Sequence, residues 1–438
     1  MRKTPINSDI VSKVINDFGI HPVGRGTIRE IVKIVNDIQE ETGNEFIRME
    51  MGVPGLEPAE VGVEAEIKAL KSGVASRYPN IEGIPTLKNE VSRFVKLFMD
   101  IDVPPECCIP TVGSMMGGMA SFMVVNRSDH YRTGTLFLDP GFPVQKQQCL
   151  VLGHSFGSFD LYDYRGDKLE AKLEEEINMG RYSSLLYSNP NNPSWICLTE
   201  QELEIIGKIS RKYDVTVIED LAYFGMDFRK DMSTPGKPPY QATAARYTDN
   251  WLMLISSSKA FSYAGQRIGM MVVSPELYNR RFPDLKRYYN SDKFSHAMIY
   301  GALYALSAGA AHTPQYALAA MLKAANDGEY NFIEVVSEYG KKARIMKEHF
   351  TRYGFRIVYE TDIDEPIADG FYFTLAYPGF DGTQLVEEML YYGISAIALN
   401  ITGSAYPEGV RACVSQVRRE QFDDLEYRLK CFSEDHPA

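Results

Sequence analysis

The chain has no long apolar run, no block of one charge and no cysteine spacing typical of a metal site or disulfide framework. Each absence removes a class of function. Six cysteines in 438 residues include no Cys-x-x-Cys and no Cys/His ligand pattern, so no metal site stands out. Cys107 and Cys108 are neighbours in what reads as a strand, which suits reduced, buried thiols. The formal net charge is −12 without a Lys/Arg cluster, which argues against nucleic acid or an anionic membrane surface as partner. Small anions remain open, because a local arginine outweighs a diffuse negative surface. The N-terminal "MRKTPINSDIVSK" holds no apolar stretch of signal-peptide length. The longest weakly polar run, Ala297 to Ala311, has 15 residues, short of the roughly 20 that a spanning helix needs. It reads as a buried helix, and the expectation is a soluble, cytoplasmic protein.

With 45% hydrophobic residues, the chain is long enough for two domains and a large core. No repeat or low-complexity segment interrupts it. The first clear helix runs from Thr27 to about Glu40, opened by the capping-box pair Thr27 and Glu30, with Ile28, Ile31, Val32, Val35 and Ile38 on one face. "RMEMGVPGLEP" then breaks regular structure, and a helix carrying Leu87, Val91, Phe94, Val95 and Phe98 follows "GIPT". To about residue 274, the runs "CIPTV", "TLFLD", "SSLLYS", "VTVIE", "WLMLI" and "IGMMVV" alternate with helical patterns such as Leu169–Ile177 and Thr199–Tyr213. That alternation predicts an α/β fold with a mostly parallel sheet between helices. Arg229 to Asn250 is polar and reads as a loop. Beyond residue 330, a long helix (about Ile333 to Tyr353) and the strands "FRIVY", "FYFTLAY", "GISAIA" and "VRACVS" predict a smaller α+β domain.

In open α/β sheets, ligands sit outside the carboxyl ends of the strands, and here each end carries an unusual residue. "GSMMGG" follows "CIPTV"; small residues at a helix start leave backbone N–H groups for an anion, though a tight turn gives the same letters. Phe142 follows "TLFLD" between prolines, as a ring-stacking face or a core residue. Asn192, in "NPNNPSW", can aim an amide at a ligand or serve a plain turn. Asp220 leaves an apolar strand and needs a cation or strong donors, unless it is a helix cap; Tyr223 lies three residues on. "SSSKAFSYAGQRIG" then places Lys259 where a chain has just left the core. Burial lowers a lysine's pKa by up to ~3–5 units, a cost accepted mainly where a neutral nucleophilic amine is wanted. Arg411 sits inside the apolar strand "VRACVS", paired with a bound carboxylate or with an internal acidic residue. Together these are the parts needed to hold pyridoxal phosphate and an amino acid: lysine for a Schiff base, carboxylate for the ring nitrogen, aromatic face, phosphate cradle and carboxylate-binding arginine.

From about Met49 to Ser415 the chain resembles the fold-type I pyridoxal-phosphate enzymes of the class I/II aminotransferase family. "SSSKAFSYAGQRIG" is similar to that family's Ser-x-Ser-Lys-x-Phe-x-x-x-Gly-x-Arg-x-Gly. The resemblance implies that Lys259 carries the internal aldimine and moves the α-proton. It puts Ser256, Ser258 and Arg267 on the phosphate together with Gly113, Ser114 and Met115, and Phe142 on the ring. Asn192 and Tyr223 fall on the ring's phenolic oxygen, Asp220 on its nitrogen, and Arg411 on the substrate α-carboxylate, with Gly52 near the substrate. "YPNIEGIPTL" resembles a signature whose tyrosine, here Tyr78, reaches the phosphate of the other subunit, which implies a homodimer with shared active sites. The implied layout is an N-terminal segment, 1–58, packing with the small domain, a large cofactor-binding domain, 59–310, and a small C-terminal domain, 311–438. The implied reaction moves an amino group from an L-amino acid to a 2-oxo acid; the same scaffold also hosts carbon–sulfur β-lyases and decarboxylases. Some relatives carry a DNA-binding domain ahead of this fold; with some 25 residues before the first helix, a regulatory protein of that kind is not the expectation here. Ser194 and Trp195 depart from the family's Thr-Gly, and Met115-Met116 and Gly117-Gly118 replace residues more often polar or alanine.

Overall fold

A computed structural model describes residues 4–437, which fall into two compact units. The larger comprises Leu56–Pro190 and Cys197–Val336; the other comprises the residues up to Gly55, Asn191–Ile196 and those from Ser337 onward.

The larger unit is built on seven strands in the order Cys108–Thr111, Gly269–Val273, Trp251–Ser256, Thr216–Leu221, Tyr182–Ser188, Gly134–Asp139 and Phe156–Asp160. Gly269–Val273 runs antiparallel to both its neighbours, and all other pairings are parallel. Helices cover the faces, so central strands such as Trp251–Ser256 are buried along their whole length. This is why they read as continuous apolar runs rather than alternations. Phe122, Phe137, Leu186, Ile218, Leu254 and Met271 meet in the core. The seventh strand, Phe156–Asp160, was not expected. It lies at the sheet edge with three of its five residues half-buried or exposed, so no apolar run marks it.

Helix Glu200–Tyr213 starts where its capping box predicts, with Thr199 and Glu202 exchanging both hydrogen bonds. Pro85–Met99 buries Leu87, Val91, Phe94, Val95 and Phe98 as its spacing predicts. The segment from Arg229 to Asn250 stays irregular except for the turn Ala244–Arg246. It is held by Glu219, whose buried carboxylate accepts from Thr243 Oγ1 (2.6 Å), the Ala244 N–H (2.7 Å) and the Tyr187 hydroxyl. The run Ala297–Ala311 is not one buried helix: a π-helical turn over Ala297–Leu303 leads into Tyr304–Ser307, and Tyr300 and Tyr304 are exposed. Residues 311–336, expected in the C-terminal domain, cluster with the larger unit. Helix His312–Asn326 packs on Glu60–Lys71 and Pro85–Met99, burying Ala317, Leu318, Met321 and Leu322.

The smaller unit has an antiparallel sheet in the order Ile397–Ala398, Val410–Cys413, Tyr372–Ala376 and Arg356–Ile357. Ile47–Arg48 pairs in parallel with Ile394–Ser395. Helix Ile28–Thr42 carries the Thr27/Glu30 capping box at its start. It is not the first helix. Ser8–Phe18 precedes it, started by Asn7, whose side chain accepts from the N–H groups of Asp9 and Ile10.

Candidate active site

Parallel pairing brings the strand ends of the larger unit to one rim: Ser188 lies opposite Asp220, and Leu221 opposite Ile255. At the end of Trp251–Ser256, the Ser256 hydroxyl accepts from the Ser258 N–H (3.1 Å) and turns the strand into the one-turn helix Ser257–Ala260. Lys259 sits half-buried on that turn. The Ser257 hydroxyl donates to the Ile268 carbonyl (2.6 Å) and ties the turn to the return strand.

Arg267 takes a left-handed backbone (φ +52°), and its Nη1 donates to the Ala264 carbonyl (2.8 Å). Its guanidinium lies against Gly113, where an added Cβ would stand 2.6 Å from Nη2. Gly113, itself at φ +66°, opens helix Gly113–Val125, with Ser114 and Met115 in the first turn. No side chain caps that helix start and no acidic residue lies in its first turn. The positive helix end and the guanidinium therefore lie together in an arrangement suited to an anion, and their close approach needs glycine at position 113.

Asp220 is 8% exposed. Its Oδ2 accepts from Gln145 Nε2 (2.8 Å) and its Oδ1 from the Ala222 N–H (3.2 Å). Burial pushes its pKa up to about 6, and the two hydrogen bonds restrain the rise. Both donors are neutral, so this carboxylate is suited to a cation. Asp139 makes the contrast at the same rim: burial pushes it to about 6 as well, but it already pairs with Lys146. Tyr223 is buried just beyond the Asp220 strand, and half-buried Phe142 stands at the start of helix Pro143–Val151. Gln145, in the first turn of that helix, was missed from the sequence. Its partner lies 75 positions away, so no local spacing announces it. Tyr78 also belongs to the larger unit and is 94% exposed.

In the smaller unit Arg411 is 2% exposed within Val410–Cys413. Nη2 donates to the Glu50 carbonyl (2.7 Å), Nη1 to Asn192 Oδ1 (3.3 Å), and the guanidinium lies 4.4 Å from the centre of the Tyr372 ring. Among the described residues no acidic side chain pairs with it, and its Nε has no hydrogen-bond partner. The carboxylate of Glu50 is taken by Arg48 and by Ser395 Oγ (2.5 Å). The internal salt bridge is thus not formed, and the guanidinium retains donor capacity for a carboxylate. Gly52 lies against Tyr372: a Cβ there would stand 2.0 Å from the ring hydroxyl. Trp195 holds φ +65°, a conformation that costs a non-glycine residue about 1–2 kcal/mol. Tyr372 was not singled out from the sequence, where it is one aromatic among many.

The family model for aminotransferases of class I and II matches residues 44–428. The chain belongs to that family. The probable aspartate aminotransferase of Methanocaldococcus jannaschii is 25% identical over 285 residues, covering 64% of this chain and 70% of that protein. The glutamate-pyruvate aminotransferase AlaC of Escherichia coli is 27% identical over 258 residues, 58% of this chain and 60% of that one. Thus the chain spans about three-fifths to seven-tenths of these relatives' length. The solved alanine aminotransferase of Pyrococcus furiosus superposes with a TM-score of 0.76 at 20% identity, covering 93% of this chain and 97% of that one. That likeness shows the shared fold-type I architecture of the family, a large mostly parallel α/β unit with a smaller α+β part.

Proposed function

We propose that this member of the aminotransferase family moves the amino group of an L-amino acid to a 2-oxo acid, with pyridoxal phosphate held on Lys259. The family implies that cofactor, and the residues present suit it. Gly113 and Arg267, which lie together, would hold its phosphate with Ser114, Met115, Ser256 and Ser258, and Phe142 would offer a ring face. The observation that carries the reading is Asp220, a buried carboxylate with only neutral donors, one strand from the turn that bears Lys259. When bound, the cofactor supplies the electron sink that makes an amino acid's α-hydrogen removable.

The chain's own groups would do the rest. Asp220 would keep a pyridinium nitrogen protonated, and a cation there would in turn favour its ionised form. Asn192 and Tyr223 would donate to the phenolic oxygen. Arg411 holds the substrate's carboxylate and so orients the Cα–H bond. Lys259 would take the proton from the substrate's Cα onto its amine and later give it up again. Tyr78, an exposed aromatic, is assigned to the phosphate of a second copy, giving a homodimer with shared sites. A cytoplasmic location accords with the finding that no helix among the described residues is long and apolar enough to cross a membrane. The two relatives above carry names for aspartate, glutamate and pyruvate, and both are aminotransferases, so the carbon–sulfur lyase reading is not favoured.

Borohydride reduction of the cofactor-loaded protein followed by peptide mass spectrometry tests the assignment. The phosphopyridoxyl mass is expected on the peptide containing Lys259. Its appearance on another lysine would contradict the reading.

A further inference from the structure

The loop Asn191–Ile196 leaves one compact unit and joins the other, although the residues on both sides of it stay behind. Its anchor within the smaller unit is Trp195. The indole is fully buried and lies against Gly370, where an added Cβ would stand 1.8 Å from Cε2 and 2.0 Å from Nε1. Any side chain at 370 would displace the ring, so the two residues are a knob and its socket. The same indole meets the Tyr372 ring edge-on at 6.2 Å and 67°. Tyr372 in turn carries the Arg411 guanidinium on its face, 4.4 Å from the ring centre.

The loop's other end reaches the same arginine. The Trp195 N–H donates to the Asn191 carbonyl (3.0 Å), and Asn191 Oδ1 accepts from the N–H (3.1 Å) and hydroxyl (2.7 Å) of Ser194. This closed turn fixes Asn192, whose Oδ1 accepts from Arg411 Nη1 (3.3 Å). Trp195 therefore stands behind both side chains that flank the guanidinium, one on its face and one on its edge. A tryptophan with a left-handed backbone persists only where its side chain is tightly held, and Gly370 supplies that hold.

We infer that Trp195 is a positioning residue for Arg411, setting the guanidinium through Tyr372 and Asn192 so that its remaining edge meets a substrate carboxylate. The inference rests on the reading above that Arg411 binds that carboxylate. It makes Trp195 and Gly370 determinants of carboxylate recognition rather than of cofactor binding.

The test uses the cofactor-loaded protein and two probes, 2-methylalanine and its amide, which differ in the carboxylate alone. Neither has an α-hydrogen, so binding is read from the cofactor's absorbance without turnover. The wild-type protein is expected to prefer the acid by roughly tenfold or more, the usual worth of charge-assisted hydrogen bonds. Trp195→Gly, which also relieves the backbone, should lose most of that preference while binding the amide as before, and Trp195→Phe should keep most of it. An unchanged preference in Trp195→Gly, or an equal weakening of acid and amide, overturns the inference. If Trp195→Gly does not fold, Tyr372→Leu leaves the indole in place and interrupts the same contacts; a retained preference there overturns it too. Arg411→Gln separates the two levels. Should it leave the preference intact, the carboxylate reading of Arg411 falls and this inference with it. Should it abolish the preference while Trp195→Gly does not, only the role of Trp195 falls.

Discussion

Replacing Asp220 with asparagine is expected to stabilise the cofactor-free protein at neutral pH and to disable the enzyme. The folded carboxyl titrates near 6, against an ordinary value of 3.8, because burial penalises its charge. An unfolded chain ionises it at the ordinary value. As pH rises from about 4 to about 6 the unfolded state sheds this proton first, so the wild-type fold loses stability across that window. Above it the loss is constant, at roughly 3 kcal/mol. Asparagine carries no such penalty, and the Gln145 amide can turn to meet either end of it. Urea midpoints of cofactor-free wild type and Asp220→Asn should therefore agree near pH 4 and separate by pH 7, with the variant higher. In the loaded enzyme the same change would remove the anion proposed to face the ring nitrogen, and kcat should fall by roughly 10²–10³-fold, as when other preorganised donors are lost. A variant less stable than wild type at pH 7, or one with normal kcat, would contradict this role.

Lys259→Ala should be the most damaging single change. It would remove both the amine proposed to hold the cofactor and the base proposed to move the α-proton, and a positioned general base alone is worth about 10²–10⁴-fold. Single-turnover conversion of the cofactor by an amino acid should slow by at least that factor, while the protein still folds and binds the cofactor through the Gly113 and Arg267 cradle. Lys259 is itself half-buried on its turn, so its loss leaves little cavity. Turnover within tenfold of wild type would remove Lys259 from the mechanism.

These two residues were legible in the sequence for the same physical reason. A strand buried on both faces reads as an apolar run, so the polar residues at its carboxyl end, Asp220 and the Ser256–Lys259 group, mark the sheet's rim. Arg411 stood out as a cation inside such a run. The capping pairs Thr27/Glu30 and Thr199/Glu202 fixed two helix starts. Phe156–Asp160 and Ser8–Phe18 escaped: the first is an edge strand without an apolar run, the second a short helix with three buried residues, Val11, Val14 and Ile15. Contacts between distant positions were also illegible. Gln145 beneath Asp220, Tyr372 beneath Arg411 and Gly370 beneath Trp195 are set by tertiary packing, and nothing in their own neighbourhoods names the partner. The bulk of Trp195 was visible; the socket that receives it was not. Nor does contiguity in sequence reveal that six loop residues, Asn191–Ile196, pack with a different unit from their neighbours.

The most direct test of the central claim is the visible spectrum of the purified, cofactor-loaded protein during addition of L-glutamate and then a panel of other amino acids, followed by a 2-oxo acid. Aminotransfer predicts that the visible band falls with an effective amino acid and returns in full when the oxo acid is added, with no ammonia released. A band that never cycles, accompanied by ammonia and pyruvate formed from cysteine conjugates, would contradict the account and assign the chain to the lyases.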